Sequence, residues 1–488
     1  MSNTTIASCV VGAAFLYLYH VNRAMVQVPE EVRRLSPHRW TVEEIRAAYE
    51  KAADSPADMA SSIPPKQNRR YIVTGGSGLV GNWIVTHLLT RGEDPAAIRI
   101  LDLQAPSDRI LNQGVAYIKT NIVDEESVQN AFSAPWPQAV AHQPLSVFHC
   151  AAAIRPAERH RCFLPLCRNV NVHGSVNVLN AAKKYGASCM VATSSGSVGI
   201  HRPSFWIAPW SSAPRNLAQV VSDSTPLPQS HDEFFGNYAV AKAEAESIIR
   251  GADSLGSNFR TGCIRPTNGI YGIGGDTSAT VTGQYLRSGG SPSWTYDVVH
   301  SFVNAENVSI AHLLYEQRLI EHTANPTTLP NIGGQSFVIT DPNPPVNFSD
   351  IYLLLATLSK TPVNFPRVAP VPFLLLSHVL ECYAILQHKY LPWLLPRITG
   401  DMAQLQPALF SISSVHTIGD DSRARKSPAQ GGLGYATPLT TLGGMAKQLE
   451  EWNRDLEPKD AAAIEEKDYV NVSSEGVEVN LPVPSKKL

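Results

Sequence analysis

Tyr238 and Lys242, set four apart in the run Tyr-Ala-Val-Ala-Lys, are the residues of this 488-residue chain whose types and spacing most directly suggest chemistry. Four residues make about one helical turn, so both side chains fall on one face. An ammonium beside a phenol favours the phenolate and draws its pKa down from about 10. Tyrosine could then take the proton of an alcohol while hydride leaves the adjoining carbon, and lysine could hydrogen-bond the ribose of a nicotinamide cofactor. Taken alone the pair is weak, because Tyr-x-x-x-Lys arises often by chance. Upstream, however, Thr193, Ser194 and Ser195 close an apolar run. Ligands of doubly wound sheets lie beyond the carboxyl ends of the strands. Ser195 is the expected hydrogen-bond partner of the reacting oxygen, with Ser194 and Ser197 as rivals. Hydroxyls that merely bond backbone in a turn are the plainer alternative.

A second constellation supplies a place for the hydride acceptor. Thr74-Gly75-Gly76-Ser77-Gly78-Leu79-Val80-Gly81 follows a short β-rich run and opens an apolar-periodic helix. Gly75 and Gly78 let the backbone turn tightly and approach a pyrophosphate, whose charge meets free N–H groups at the helix start; Gly81 permits close helix–strand packing. Glycine turns are common, but this one has the required strand–turn–helix setting. Asp102, about 20 residues on, can accept hydrogen bonds from the adenosine ribose and repel a 2′-phosphate. No arginine immediately follows it, which favours NAD over NADP. Asp124 reads as the cap of the next helix.

These residues must be positioned by alternating elements. Strands are expected at Arg70 to Thr74, Ile98 to Leu103, Ala116 to Lys119, Val147 to Ala152 and Cys189 to Thr193, with helices over Leu79 to Thr90 and Asn171 to Tyr185. Short apolar strands interleaved with helices imply an α/β fold: a Rossmann-type doubly wound parallel sheet with a smaller C-terminal substrate-binding region and an N-terminal membrane helix. The expected division is 1–24 membrane anchor, 25–69 linker with a short helix capped by Thr41 and Glu44, 70–270 dinucleotide domain, 271–450 substrate-binding region, and 451–488 disordered tail. Within the fourth part, 370–397 is apolar but interrupted by His378 and Glu381 and closed by prolines, which argues against a full membrane span and leaves an interfacial or buried helix.

Acidic and basic residues nearly cancel, 42 against 40, so no global field draws nucleic acid. Seven irregularly spaced cysteines do not form a disulfide framework. Cys162 and Cys167 near His160 lack a second ligand pair, so no metal is expected; Cys150 and Cys189 read as core. From Thr5 to Val21 the chain is apolar and uncharged, the short end of what spans a bilayer, and Arg23, Arg33 and Arg34 follow it. The charge order favours a signal anchor with the rest of the chain cytosolic; a cleaved signal and a packed helix are the alternatives.

In combination these motifs resemble the extended short-chain dehydrogenase/reductase superfamily over roughly residues 70 to 445: the glycine turn, Thr193-Ser194-Ser195, Tyr238-x-x-x-Lys242, and Arg265-Pro266-x-x-Gly269-Ile270-Tyr271-Gly272 occur in that order. Asn171-Val172-His173-Gly174-Ser175, Asn307-Val308 with Ala311-His312, Gly334 to Thr340, and Leu433-Gly434-Tyr435-x-x-Pro438-Leu439 resemble the 3β-hydroxysteroid dehydrogenase group, including decarboxylating sterol-4α-carboxylate 3-dehydrogenases. The resemblance implies Ser195 as carbonyl polariser, Tyr238 as acid/base and Lys242 as its partner. It implies cofactor contacts from Gly75, Ser77, Gly78, Leu79, Val80, Gly81, Asp102, Asn121, Ala151, Asn171, Tyr238 and Lys242. Asn121 stands where an aspartate is usual, but its amide can still bond adenine. Residues 204–229, with Trp206 and Trp210, depart from the family pattern beside the expected substrate site. The implied partners are a lipophilic small molecule and a membrane, the endoplasmic reticulum by resemblance, with a homodimer left open. A nucleotide-sugar epimerase, another extended reductase and a non-catalytic NAD-binding regulator are the competing readings.

Overall fold

The computed structural model describes residues 2–55, 57–274, 280–456, 470–474 and 477–481. The chain begins with α1 (Asn3–Met25), whose outer apolar side chains, including Val10, Phe15 and Leu16, are exposed while Val21, Ala24 and Met25 are buried. α2 (Val42–Asp54) starts at a reciprocal capping box, Thr41 accepting from the Glu44 N–H and Glu44 from the Thr41 N–H. The segment expected as a linker is packed into the body. Ile45 is fully buried, Arg39 pairs with Asp350 at 2.6 Å, and Trp40 and Tyr49 join an apolar cluster with residues beyond 270.

Seven parallel strands form the centre: β1 (Arg70–Thr74), β2 (Ile98–Asp102), β3 (Ala116–Lys119), β4 (Leu145–His149), β5 (Ala187–Thr193), β6 (Arg260–Pro266) and β7 (Ser336–Ile339). Their spatial order is β7-β6-β5-β4-β1-β2-β3. β1, β4 and β6 are almost wholly buried because helices cover both faces, β6 even with Arg260 and Arg265 in it. α3 (Leu79–Thr90) and α6 (Ala305–Ala324) share a core with one face, while α4 (Ser175–Lys184) packs on the other. α5 (Asn237–Gly251) is anchored at its start, where the Asn237 N–H donates to Glu158 O at 2.8 Å. The order reverses between β1 and β4, Thr74 lying opposite both Leu101 and His149. At such a switch point the chain leaves in opposite directions, opening a crevice at the carboxyl edge. β4 lies two residues earlier than expected, which places Ala151 just beyond its carboxyl end.

β7 comes from the C-terminal half yet completes this sheet, pairing with β6 from Ser336/Cys263 to Ile339/Pro266. A smaller four-stranded sheet gathers Ala218–Val221, Val299–His300, Val346–Asn347 and His416–Gly419 on the substrate side. α7 (Pro370–Ile385) leans on the inner end of α1, and α8 (Thr441–Asp455) packs on α2. α1 with its continuation to Leu35 and α7 with its continuation to Tyr390 are long and apolar enough to cross a membrane.

The first residues of the tail expected to be disordered from 451 are helical. α8 runs to Asp455, held by Asn453, whose amide donates to Leu358 O and the Tyr49 hydroxyl. Further on, Val470–Ser474 and Val477–Leu481 pair as an antiparallel hairpin, while 457–469, 475–476 and 482–488 lie outside the described residues.

Candidate active site

The glycine turn takes its shape from three missing side chains. Gly75 sits at φ +71°, and a Cβ there would lie 2.6 Å from the Ala151 nitrogen; a Cβ on Gly81 would lie 2.1 Å from Gly75 O. Gly78 is less constrained, its nearest obstacle 3.3 Å away. As N-cap of α3 it has no side chain to turn onto the first N–H groups, so those of Leu79 and Val80 have no side-chain cap and suit an anion. Ser77 and Gln104 donate backbone N–H groups to the two Asp102 oxygens at 3.0 and 3.2 Å, and the Ser77 hydroxyl bonds Gln104 O. The carboxylate is thereby fixed with acceptor capacity to spare. Asn121 accepts the Val123 N–H on its side-chain oxygen. All of these, with Ala151, line a cleft of about 600 Å³ that reaches Ser195, Tyr238 and Lys242. A dinucleotide with an unphosphorylated adenosine ribose fits this cradle: tight backbone, free N–H groups and a carboxylate follow one another along one wall.

Asn171 does not line the cleft. Its amide accepts from Ala153 N–H at 2.8 Å and donates to Ala153 O at 3.0 Å, and it is buried in a π-helical turn, Asn169–Gly174. The expected cofactor contact is therefore corrected. Asn171 clamps the segment after β4, each end of its amide making one bond there.

α5 carries Tyr238 and Lys242 against the carboxyl end of β5. Lys242 is buried and donates to Thr193 O at 2.7 Å; Ser195 hydrogen-bonds the Tyr238 phenol and accepts the Ser197 N–H at 3.2 Å. Of its rivals, Ser194 turns its hydroxyl to Glu246, and the Ser197 hydroxyl lies 2.8 Å from that of Ser195. Burial pushes the Tyr238 phenol up to about 12, partly offset by Ser195, and pushes the Lys242 ammonium down to about 8. Sequence reasoning expected lysine to draw the phenol down. Instead Lys242 is directed at the Thr193 carbonyl, and burial dominates the phenol.

Behind these groups lies a set that motif reading missed. Glu246, one turn beyond Lys242, forms a buried ion pair with Arg265, whose guanidinium nitrogens donate to it at 2.9 Å and closer, and it also accepts from Ser194. Its i+4 spacing from Lys242 and the already noted Arg265-Pro266 were the available signals. His312 holds Thr193 from the other side: its Nδ1 lies 2.8 Å from Val308 O, so Nε2 is the acceptor for the Thr193 hydroxyl at 2.8 Å. The substrate-side wall adds Phe235, Phe302, Phe348, Leu409 and Ile412, which no spacing announced.

A model of the 3-beta hydroxysteroid dehydrogenase/isomerase family matches residues 72–362. The chain belongs to this family. Relatives include the 3beta-hydroxysteroid-dehydrogenase/decarboxylase isoform 2 of Arabidopsis thaliana, 26% identical over 80% of this chain and 64% of its own length. Another is the decarboxylating sterol-4-alpha-carboxylate 3-dehydrogenase of Homo sapiens, 25% identical over 58% of this chain and 65% of that one. The chain thus spans just under two thirds of each of these relatives. Its fold is shared with the UDP-glucose-4-epimerase of Stenotrophomonas maltophila solved with bound NAD, at a TM-score of 0.52, 16% identity, and coverage of 79% of this chain and 98% of that one. Seven strands, glycine turn and Tyr-x-x-x-Lys are thus the family's framework, whereas α7 and the segment 397–415 lie beyond its matched residues.

Proposed function

We propose that this protein is an NAD-dependent dehydrogenase that oxidises the 3β-hydroxyl of a sterol, steroid or polycyclic terpenoid to the ketone. The observation that carries the reading is the meeting of Ser195, Tyr238 and Lys242 in a cleft whose one end is the glycine turn and whose other end is walled by Phe302, Phe348, Leu409 and Ile412. That far wall suits a fused-ring hydrocarbon and offers little to a sugar diphosphate, which favours the sterol reading over the epimerase one.

Gly75, the α3 N-terminus and Asp102 would hold NAD, which supplies a hydride acceptor and, when oxidised, a positive charge. Ser195 orients the substrate hydroxyl by hydrogen bonding to its oxygen. Tyr238 receives the hydroxyl proton, so the substrate carbon gives up hydride as the C=O bond forms. A phenol pushed up to about 12 by burial releases its own proton more readily once a cation is added nearby. Bound NAD would supply such a charge, while Lys242, held by Thr193 O, lines the same cleft. Where a substrate bears a 4-carboxylate, the 3-ketone is the electron sink into which carbon dioxide loss can deliver its electron pair. Residues 70–270 act as the cofactor unit, 271–450 as the substrate region, and α1 as an anchor in the endoplasmic reticulum membrane with the body on the cytosolic side.

The test is purified protein with NAD and paired 3β-hydroxysterols, with and without a 4-carboxylate, followed by NADH absorbance and product mass. NADH with a ketone product supports the reading; a sugar-nucleotide product with no net NADH, or no turnover at all, overturns it.

A further inference from the structure

A second cavity of about 430 Å³ adjoins the cleft. One stretch of chain forms the partition: Ile154 faces both spaces, Pro156 the cleft, and Arg155 and Glu158 the cavity. The segment after residue 405 is divided in the same way, Gln406 lining the cavity and Leu409 and Ile412 the cleft. Among the described residues, Ile154 is thus the one side chain shared by the walls of the two spaces. The far wall is α7, outside the residues matched by the family model.

Its walls mix apolar side chains, Phe163, Leu380 and Met402 among them, with polar ones such as Gln387, His388 and Gln404, and two further polar groups stand out. Charges that could have served as decoration are cancelled locally: Arg155 pairs with Glu158, and Arg159, nearby, with Glu381. Arg397 lines the cavity and has no ion-pair or hydrogen-bond partner among the described residues. Gln406 is 6% exposed. Its Nε2 donates to Ala403 O at 3.0 Å, which fixes the amide, and its Oε1 has no partner. A buried acceptor without a donor costs free energy until a donor reaches it, and one on a cavity wall can be answered by a ligand. A hydroxyl answers both residues, donating to Gln406 Oε1 and accepting from the Arg397 guanidinium; a hydrocarbon answers neither.

We propose that this cavity is the subsite for the end of the substrate remote from its reacting alcohol, and that it selects a substrate with a second hydroxyl at that end. The inference rests on the dehydrogenase reading above and narrows it to an elongated apolar diol. An oxygenation reaction must then precede this enzyme, since a hydrocarbon skeleton acquires a distal hydroxyl only by oxidation.

The experiment compares NADH formation from two 3β-hydroxysterols, one with a hydrocarbon side chain and one with a hydroxyl at the end of that chain. The wild-type protein should prefer the hydroxylated sterol by about tenfold or more in kcat/KM. Gln406→Leu and Arg397→Gln should each bring that ratio towards one. Because the ratio is taken within one protein, partial loss of folded enzyme cancels, and Arg397, being exposed, offers the variant least able to disturb folding. Equal kcat/KM for the two sterols in the wild type, or a preference that survives both substitutions, overturns the proposal while leaving the dehydrogenase reading intact. Absence of NADH from both sterols refutes that reading itself.

Discussion

The carboxyl edge of the seven-stranded sheet and the walls supplied after residue 362 enclose adjoining spaces but are built on opposite terms. At the edge nearly every polar group is tied to another: Lys242 to Thr193, Thr193 to His312, Ser194 to Glu246, Glu246 to Arg265. Across from it, α7 and the segment 397–415 present apolar side chains with an isolated guanidinium and an amide oxygen that lacks a donor. Chemistry demands reacting groups held to a fraction of an ångström, which a closed hydrogen-bond network achieves. Selection among lipophilic molecules demands shape and one or two polar contacts, which an apolar wall can change without disturbing the network. The difference separates what this chain does from what it does it to.

Substitutions can break that separation in order of expected effect. Tyr238→Phe removes the proton acceptor and should lower kcat by about 10³-fold. NAD binding, followed by titration calorimetry, should stay nearly unchanged; retained turnover would show that another group takes the proton. Arg265→Ala removes the buried partner of Glu246, which keeps only the half-exposed Arg250 at 3.2 Å, a loss of at most about 3–5 kcal/mol in the free energy of unfolding by denaturant. A loss below about 1 kcal/mol would mean that the pair does not support the edge. Acid should act next, again through the network side. His87 and His149 are held down to about 3, and His300 and His312 to about 4, by burial. Between these values and about 6.5 the unfolded chain binds protons the folded one refuses, so stability falls as pH drops below about 6.5, by about 1.4 kcal/mol per unit for each group. Asp341, raised by burial to about 6, takes up its proton in the folded state first and opposes the trend between about 6 and 3.9. Four groups outweigh one, and melting temperatures at pH 7, 6 and 5 should decline; a flat profile would contradict the burial of these imidazoles. The smallest effect belongs to the apolar wall: Leu409→Ala should raise KM for a 3β-hydroxysterol by a few-fold, about 1 kcal/mol. A collapse of kcat instead would join that wall to the chemistry.

Much of the edge was legible because its code is local. The glycine turn, Asp102 and the Tyr238–Lys242 pair follow from spacing within single βαβ units, and five of the seven strands were found in place or within a few residues. What escaped depended on distant partners. Asn171 was expected at the cofactor from the family resemblance, yet the direction of its amide is set by a π-helical turn that no periodicity reports. α2 looked like part of a tether because its partner, α8, lies some 400 residues away. β7 was noted as a motif but not as the edge strand of the same sheet, since a parallel strand's neighbour is chosen by topology rather than by composition. The depressed Lys242 and raised Tyr238 likewise required knowing how much protein surrounds them.

The inner end of α1 is not a hinge. Val21, Ala24 and Met25 interlock with Phe205, Ile207, Val371 and Phe410, while Tyr17 donates to Ile207 O at 3.0 Å and His20 lies 3.0 Å from Ser211 O. A helix seated in this way behaves as a keel: whatever receives its outer turns also dictates which flank of the body faces that medium. Trimming the chain at residue 24 to obtain a freely diffusing enzyme would remove a plank of the hull as well, so a cut ahead of Tyr17 is the better choice.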